Sequence, residues 1–181
     1  MGELFKNLAD AMDEERPKGT LEISMAIFAI MELCGSFITG KTGTGTSRDN
    51  FLTFCESDYV SQKYHKISQL LYCIFRNGVV HSYVPKGAAH LTSDRRAEIY
   101  HLQFFNSGLC IYVPELAKDI TGAIKALKVD LRQDQQIRSN YNKILRELDI
   151  AGKNYYSNYI REKNIKPISG IRIQGDINIS I

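Results

Sequence analysis

The segment Thr20–Ile38, TLEISMAIFAIMELCGSFI, is the most apolar stretch of the chain and predicts a long helix. Apolar residues occupy every face of that helix, which is typical of a helix at the centre of a core. Glu32 interrupts the longest apolar run, Met25–Cys34, so this run is too short to span a bilayer. The segment therefore predicts a mainly α-helical domain packed around one buried helix.

Other stretches predict further helices around this central one. Pro17 and Gly19 end an amphipathic helix near the N-terminus, and Ser47 or Asp49 is placed to cap a short one. Apolar residues from Val60 onward recur at alternating steps of four and three residues. The predicted helices cover 2–14, 20–38, 49–58, the stretch from 60 until Pro85 and Gly87 stop it, 114–131 and about 131–148.

Three short extended runs predict a small antiparallel hairpin or meander: AHLT at 89–92, EIYHLQFF at 98–105 and LCIYV at 109–113. The last residues alternate strictly from Ile171 to Ile181, which is typical of a strand. The pattern leaves open whether this tail pairs with the hairpin, pairs with another subunit or stays disordered. The expected fold is a helical bundle with a β-hairpin insertion and a candidate C-terminal strand.

Composition places the 181-residue chain among ordinary soluble domains, with 44% hydrophobic and 24% charged residues. The net charge of +3 permits a polyanionic partner without requiring one. No secretory leader is recognisable and no membrane association is expected, so the chain is expected to be cytoplasmic. The cysteines, none at CxxC spacing, are expected to be buried reduced thiols rather than disulfides or zinc ligands; they are Cys34, Cys55, Cys73 and Cys110.

The stretch Gly35–Thr42, GSFITGKT, matches the pattern G-x-x-x-x-G-K-T of phosphate-binding loops. That chemistry needs a buried strand before the loop and a helix after it, because the helix N-terminus points free N–H groups at the phosphates. Here a helix precedes the loop, and TGTGTS follows it. We therefore interpret Gly40 as the end of a helix, with Lys41 beside its last carbonyl groups.

A second pattern, Arg76-Asn77-Gly78-Val79-Val80-His81, lies at the end of the helix predicted from Val60. Arg76 interrupts an otherwise apolar surface, and His81 continues the apolar stripe of that helix. A charged group and a titratable group on such a surface need partners. The residues alone favour a structural interpretation, in which His81 is an interface histidine and Arg76 is the partner in an ion pair at the helix end.

The run Arg76-Asn77-x-x-x-His81, followed by Tyr83, Pro85 and Lys86, resembles the signature of HEPN domains. The resemblance implies a helical bundle that dimerises symmetrically through the motif helices, so that two Arg/His sets face one cleft. Many such domains are metal-independent ribonucleases, and others only bind partners or nucleotides. The resemblance covers about 20–130, and a helical extension at 131–165 and a tail at 166–181 complete the expected single domain.

The residue chemistry agrees with this implication. RNA carries its own nucleophile, the 2′-hydroxyl, and a His with a pKa of about 6.5 exchanges protons near neutral pH. An Arg offers a planar set of donors to phosphate oxygens. We therefore expect Arg76, Asn77 and His81 to be catalytic, with Tyr83 and Lys86 contacting the substrate and no metal or other cofactor required. The expected partners are a second copy, RNA or a nucleotide, and an antitoxin; the alternative is an inactive binding module.

The remaining histidines and the late tyrosines are weaker candidates for functional residues. His65, His90 and His101 lack the spacing of a helical metal site and are expected to be surface or structural residues. Tyrosines recur among basic residues late in the chain and could stack on RNA bases, but acidic residues dilute the charge. A plain amphipathic helix is the simpler interpretation of the tyrosines, which are Tyr141, Tyr155, Tyr156 and Tyr159.

Overall fold

The computed structural model describes residues 20–43, 45–76 and 89–164. Over these ranges the chain is mostly helical with a small mixed three-stranded sheet, which confirms the mainly α prediction. The helix predicted at 2–14 and the candidate C-terminal strand lie outside the described residues. The expected HEPN-type bundle stays a prediction.

The central helix, α1, spans Thr20–Thr39 and is packed against three other helices, as its apolar composition predicts. Ile27, Phe28, Met31, Cys34 and Phe37 have no exposed surface. Of the described residues, α1 is the only helix long and apolar enough to cross a membrane. Half of its apolar window is buried inside the fold. The whole helix is longer than the run Met25–Cys34, so the prediction of insufficient length made from that run does not hold for α1.

The next helix, α2, spans Ser47–Cys55 and packs closely on α1. The residue that permits this approach is Gly35: a β-carbon there would lie 1.8 Å from the carbonyl oxygen of Asn50. The backbones therefore meet at a distance that no side chain at position 35 allows. The residue before α2 is Thr46, whose side chain makes no capping bond, so the predicted caps Ser47 and Asp49 are wrong.

The carboxyl end of α1 is closed by side chains from two other helices. Gly40 adopts a left-handed conformation with φ of 67°, and its N–H bonds the Ser36 carbonyl oxygen at 2.8 Å. Asn140 donates to the Ile38 carbonyl oxygen at 2.9 Å, and Lys143 donates to that of Gly40 at 2.8 Å. Asn50 donates to the Lys41 carbonyl oxygen at 3.1 Å. Carbonyl groups that a helix end leaves unpaired are thus satisfied.

Between Val60 and Arg76 the single predicted helix is broken into pieces. The pieces are α3 at Gln62–His65, α4 at Ser68–Leu70 and a π-helical turn at Leu71–Arg76. Tertiary bonds override the helical pattern here, since Ser68 donates to the Glu56 carboxylate at 2.5 Å. The predicted apolar stripe nevertheless faces inward, because Val60, Tyr64 and Leu71 are buried.

The sheet has the order β1-β3-β2, with β1 at Ala89–Thr92, β2 at Phe104–Phe105 and β3 at Gly108–Tyr112. β2 and β3 form the predicted antiparallel hairpin, whereas β1 pairs with β3 in parallel. The first part of the run predicted as a strand at 98–105 lies in a 3₁₀ helix, Arg95–Tyr100. Asp94 begins that helix by accepting the N–H of Arg96 at 3.0 Å, a turn-forming bond that competes with extended backbone.

Two long helices complete the fold. α5 spans Val113–Gln133, with Pro114 in its first turn as predicted. α6 spans Gln135–Glu162 and is longer than the predicted helix at 131–148. Asp134 caps α6 by accepting the N–H groups of Gln136 and Ile137 at 2.7 and 3.0 Å.

The free cysteines are buried as predicted, apart from Cys73, which is exposed. Cys73 belongs to the π-helical turn, where the extra residue per turn changes which side chains face the core. The prediction for Cys73 rested on its apolar neighbours along the chain and was wrong, because neighbours in sequence do not specify which side of this turn faces the core.

The contact at Gly35 gives the first prediction. Gly35→Ala places a methyl group on the Asn50 backbone, which cannot move aside as a flexible side chain would. We expect a loss of at least about 2–3 kcal/mol in the free energy of unfolding, measured by urea denaturation.

The matched control is Gly122→Ala in α5, where a β-carbon meets nothing within 4 Å. This variant removes backbone freedom without a clash, so it should gain about 0.5–1 kcal/mol. Equal denaturation midpoints for the two variants would contradict the close contact between α1 and α2.

Candidate functional site

The predicted catalytic pair begins where the π-helical turn ends. Arg76 is the last residue of that turn, and its side chain is outside what the structure describes. Asn77, His81, Tyr83 and Lys86 also lie outside the described residues. The convergence of Arg76 and His81 on one cleft therefore stays a prediction.

The backbone that leads into Arg76 is held firmly on α2. Leu71 and Tyr72 are buried, and the Tyr72 ring packs against Phe51 with ring centroids 5.5 Å apart. On the exposed side, Arg48 donates to the side-chain oxygen of Gln69 at 2.6 Å. The motif therefore starts from a fixed point on the helical core.

The phosphate-loop pattern at Gly35–Thr42 does not form a phosphate site. Gly35 lies inside α1 at the contact with α2, Gly40 ends α1, and the next helix begins only at Ser47. A helix rather than a strand precedes the loop, as predicted. The cation at the helix end is Lys143, because its ammonium group bonds the Gly40 carbonyl, whereas Lys41 is exposed. The expected role of Lys41 at this helix end is corrected accordingly.

A chain of hydrogen bonds that the sequence did not reveal connects three elements around Tyr64. The Tyr64 hydroxyl lies 2.9 Å from Nε2 of His101 and donates to Oδ2 of Asp119 at 2.7 Å. On the other side of the imidazole, the backbone N–H of Tyr112 donates to Nδ1 of His101 at 3.2 Å. Lys63 pairs with Asp119 at 2.6 Å.

This geometry fixes the tautomer of His101. A backbone N–H can only donate, so Nδ1 must be the unprotonated nitrogen, and Nε2–H donates to the Tyr64 hydroxyl. A second proton on His101 would break the bond to Tyr112. Burial, and then the positive charge of Lys63, lower the pKa of His101. Burial and the hydrogen bond to Asp119 raise the pKa of Tyr64.

An open cleft of about 500 Å³ lies beside this chain and is lined by Lys63, Glu98, His101, Leu102, Gln103 and Glu115. Leu102 has a positive φ of 62°, which strains a residue that carries a side chain. Both nitrogens of His101 are already bonded, so His101 is not free to transfer a proton to a ligand in the cleft. Its role is structural, as the sequence suggested.

The other described histidines also have local partners. Nε2 of His65 lies 3.0 Å from the Val60 carbonyl oxygen, and Nε2 of His90 lies 3.1 Å from the Ser107 hydroxyl. Across residues 20–43, 45–76 and 89–164, no three His, Cys, Asp or Glu side chains come together in a way that could hold a metal ion.

Comparison with known proteins adds no relative. No protein-family model, curated protein or solved structure matches this chain.

The neutral state of His101 gives the second prediction. Its pKa in the folded protein lies below the ordinary value of about 6.5, so the unfolded chain binds the proton more readily. The stability that His101 contributes is complete above about pH 6.5 and is lost as the pH falls toward its folded pKa. One proton limits this slope to about 1.4 kcal/mol per pH unit.

His101→Gln removes this titration and keeps a polar side chain. We expect the free energy of unfolding of the variant to fall less steeply than that of the wild type between about pH 6.5 and 5. The control is His90→Gln, because His90 is exposed on an edge strand. If His101→Gln and His90→Gln show the same pH dependence, the hydrogen-bond chain does not hold His101 neutral.

Proposed function

We propose that this protein is a HEPN-type RNA endonuclease that needs no metal, with His81 as the acid–base group and Arg76 binding phosphate. The observation that carries the proposal is the position of Arg76 at the end of the π-helical turn Leu71–Arg76. π-helical turns are rare in proteins, and those that occur are often found at functional sites. The mainly helical fold around a buried α1 is compatible with the proposed class.

The proposed reaction uses the nucleophile that RNA supplies. His81 accepts the proton of the 2′-hydroxyl, whose oxygen attacks the adjacent phosphorus. The bond from phosphorus to the 5′ oxygen breaks, and a protonated imidazole returns a proton to that oxygen. Arg76 donates to the phosphate oxygens as charge develops on them. The products are a 2′,3′-cyclic phosphate and a 5′-hydroxyl end.

The remaining motif residues receive supporting roles in this proposal. Asn77 orients the imidazole or contacts the phosphate, and Tyr83 and Lys86 contact the RNA beyond the scissile bond. The resemblance further implies a homodimer that joins two motifs at one cleft. In a toxin or phage-defence role, the protein would also have an antitoxin as a partner.

The third prediction tests this activity directly. Purified protein is incubated with labelled RNA in EDTA, and the cut ends are identified by their chemistry. We expect cleavage that leaves a 2′,3′-cyclic phosphate. His81→Ala and Arg76→Ala should each reduce the rate by about 10²–10⁴-fold, since each removes a group that acts on the reacting atoms.

Matched controls are His90→Ala and Arg95→Ala, because both residues are exposed and lie outside the motif. They should cleave at the wild-type rate. RNA that remains intact, together with nucleotide or RNA binding that His81→Ala leaves unchanged, would instead identify an inactive binding module. Cleavage that survives His81→Ala would point to a contaminating ribonuclease.

A further inference from the structure

The carboxyl-terminal part of α6 extends beyond the core. Asn140, Tyr141 and Ile144 are the buried residues of α6, and Ile144 is the last of them. Leu145–Glu162, here called the arm, continues as a helix for about 27 Å. Residues 151–159 are all exposed. An isolated helix of this length gains little stability of its own in water.

The arm carries an apolar stripe on one side. Leu145, Leu148, Gly152, Tyr155 and Tyr159 follow one another at alternating steps of three and four residues. This is the a/d spacing of a coiled-coil seam, kept over two heptads. Leu148, Tyr155 and Tyr159 are 48%, 74% and 46% exposed, whereas Leu145 is half-buried against the core, so the stripe is open to solvent from Leu148 onward.

We propose that the arm pairs with the arm of a second copy of this chain in an antiparallel, twofold-symmetric coiled coil. None of the arm residues belongs to the Arg76–His81 motif, so this pairing is independent of the proposed ribonuclease activity.

The charges of the arm fit a second copy better than a nucleic acid. Three basic residues are balanced by three acidic ones: Arg146, Lys153 and Arg161 against Glu147, Asp149 and Glu162. Lys153 is already paired with Asp149 at 2.6 Å. A neutral helix neither repels its own copy nor attracts a polyanion, which requires unneutralised Lys and Arg side chains.

The sizes of the side chains along the stripe favour an antiparallel pair of arms. In that direction the Gly152 layer can face Tyr155, and Leu148 can face Tyr159, so that small residues meet large ones. A parallel pair would place glycine against glycine and tyrosine against tyrosine. A β-carbon at Gly152 would meet nothing within 4 Å, which leaves room there for a ring. Opposed helix dipoles also favour the antiparallel direction.

The apolar area of the arm is that of a weak pair, whose population depends on concentration. Tyr155, Tyr156 and Tyr159 expose 74%, 58% and 46% of their surfaces. With roughly 200 Å² for each buried tyrosine, they contribute about 350 Å² per copy. Two copies contribute about 700 Å² in total, including Tyr156, which flanks the stripe, and Leu148 and the stems of neighbouring side chains add to this area. Stable specific interfaces exceed about 1,000 Å², so we expect a pair that dissociates on dilution.

The fourth prediction concerns the mass of the full-length protein in solution, measured by analytical ultracentrifugation over a range of concentrations. We expect a dimer that Tyr155→Asp/Tyr159→Asp weakens at least tenfold, because carboxylates would be buried in the seam. The matched control, Asn154→Asp/Ser157→Asp, adds the same charge to other faces of the same turns and should keep the wild-type mass. Circular dichroism checks that both variants stay folded.

Cross-linking tests the direction. Chains with Gly152→Cys and chains with Tyr155→Cys, both in a Cys73→Ser background because Cys73 is exposed, are mixed and oxidised. The proposed pair gives disulfides mainly between the two kinds of chain. Disulfides only between identical chains would overturn the antiparallel arrangement. A monomer at all concentrations would overturn the pairing itself.

The same variants separate a second copy from RNA as the occupant of the stripe. If Tyr155→Asp/Tyr159→Asp lowers RNA affinity while the mass stays that of the wild type, base stacking on the arm replaces the proposal. If the protein does not cleave RNA but forms a dimer that Tyr155→Asp/Tyr159→Asp weakens, the arm proposal stands and only the proposed activity is removed. A dimer that these substitutions leave unchanged would be joined elsewhere and would overturn the arm pairing.

Discussion

The fold depends on how the carboxyl end of α1 is enclosed. A helix leaves its last carbonyl groups unpaired, and the end of this one lies against α2 and α6, where water cannot satisfy all of them. Three side chains donate to carbonyl groups at and just after this helix end: Asn140 to Ile38, Lys143 to Gly40 and Asn50 to Lys41. Because these side chains come from α2 and α6, the pairing of one helix end also fixes the positions of two others. Gly35 then lets α2 approach α1 to backbone contact.

A second polar connection organises the opposite part of the molecule. Tyr64 is fully buried, yet its hydroxyl reaches both His101, which follows the 3₁₀ helix, and Asp119 on α5. The imidazole in turn binds the backbone of β3. These bonds attach the small sheet to the helices through groups that are costly to leave unpaired. The segment before the motif is therefore held by both apolar packing and a polar chain.

Much of the helical architecture could be predicted from the sequence. The all-round apolar character of Thr20–Ile38 identified the core helix, and the Gly40 position identified its end. The bonds of Asn140 and Tyr64 could not be predicted, because their partners lie 102 and 37 or more residues away along the chain. The parallel pairing of β1 was missed for a similar reason, since local alternation does not specify strand direction. Of the predicted catalytic residues, only the backbone of Arg76 falls within the described part of the chain.

The four cysteines differ in solvent exposure, and this difference determines which of them can react with oxidants in the folded protein. Burial raises the pKa of the Cys34 and Cys55 thiols to about 12, so neither forms an appreciable amount of thiolate at physiological pH. Cys110 is buried as well, whereas Cys73 is exposed in the turn that ends at Arg76. Alkylating or oxidising reagents therefore reach Cys73 in the native state and reach the other three only when the fold opens. Modification of Cys73 therefore needs no unfolding of the native protein, whereas modification of Cys34, Cys55 or Cys110 reports local or global unfolding.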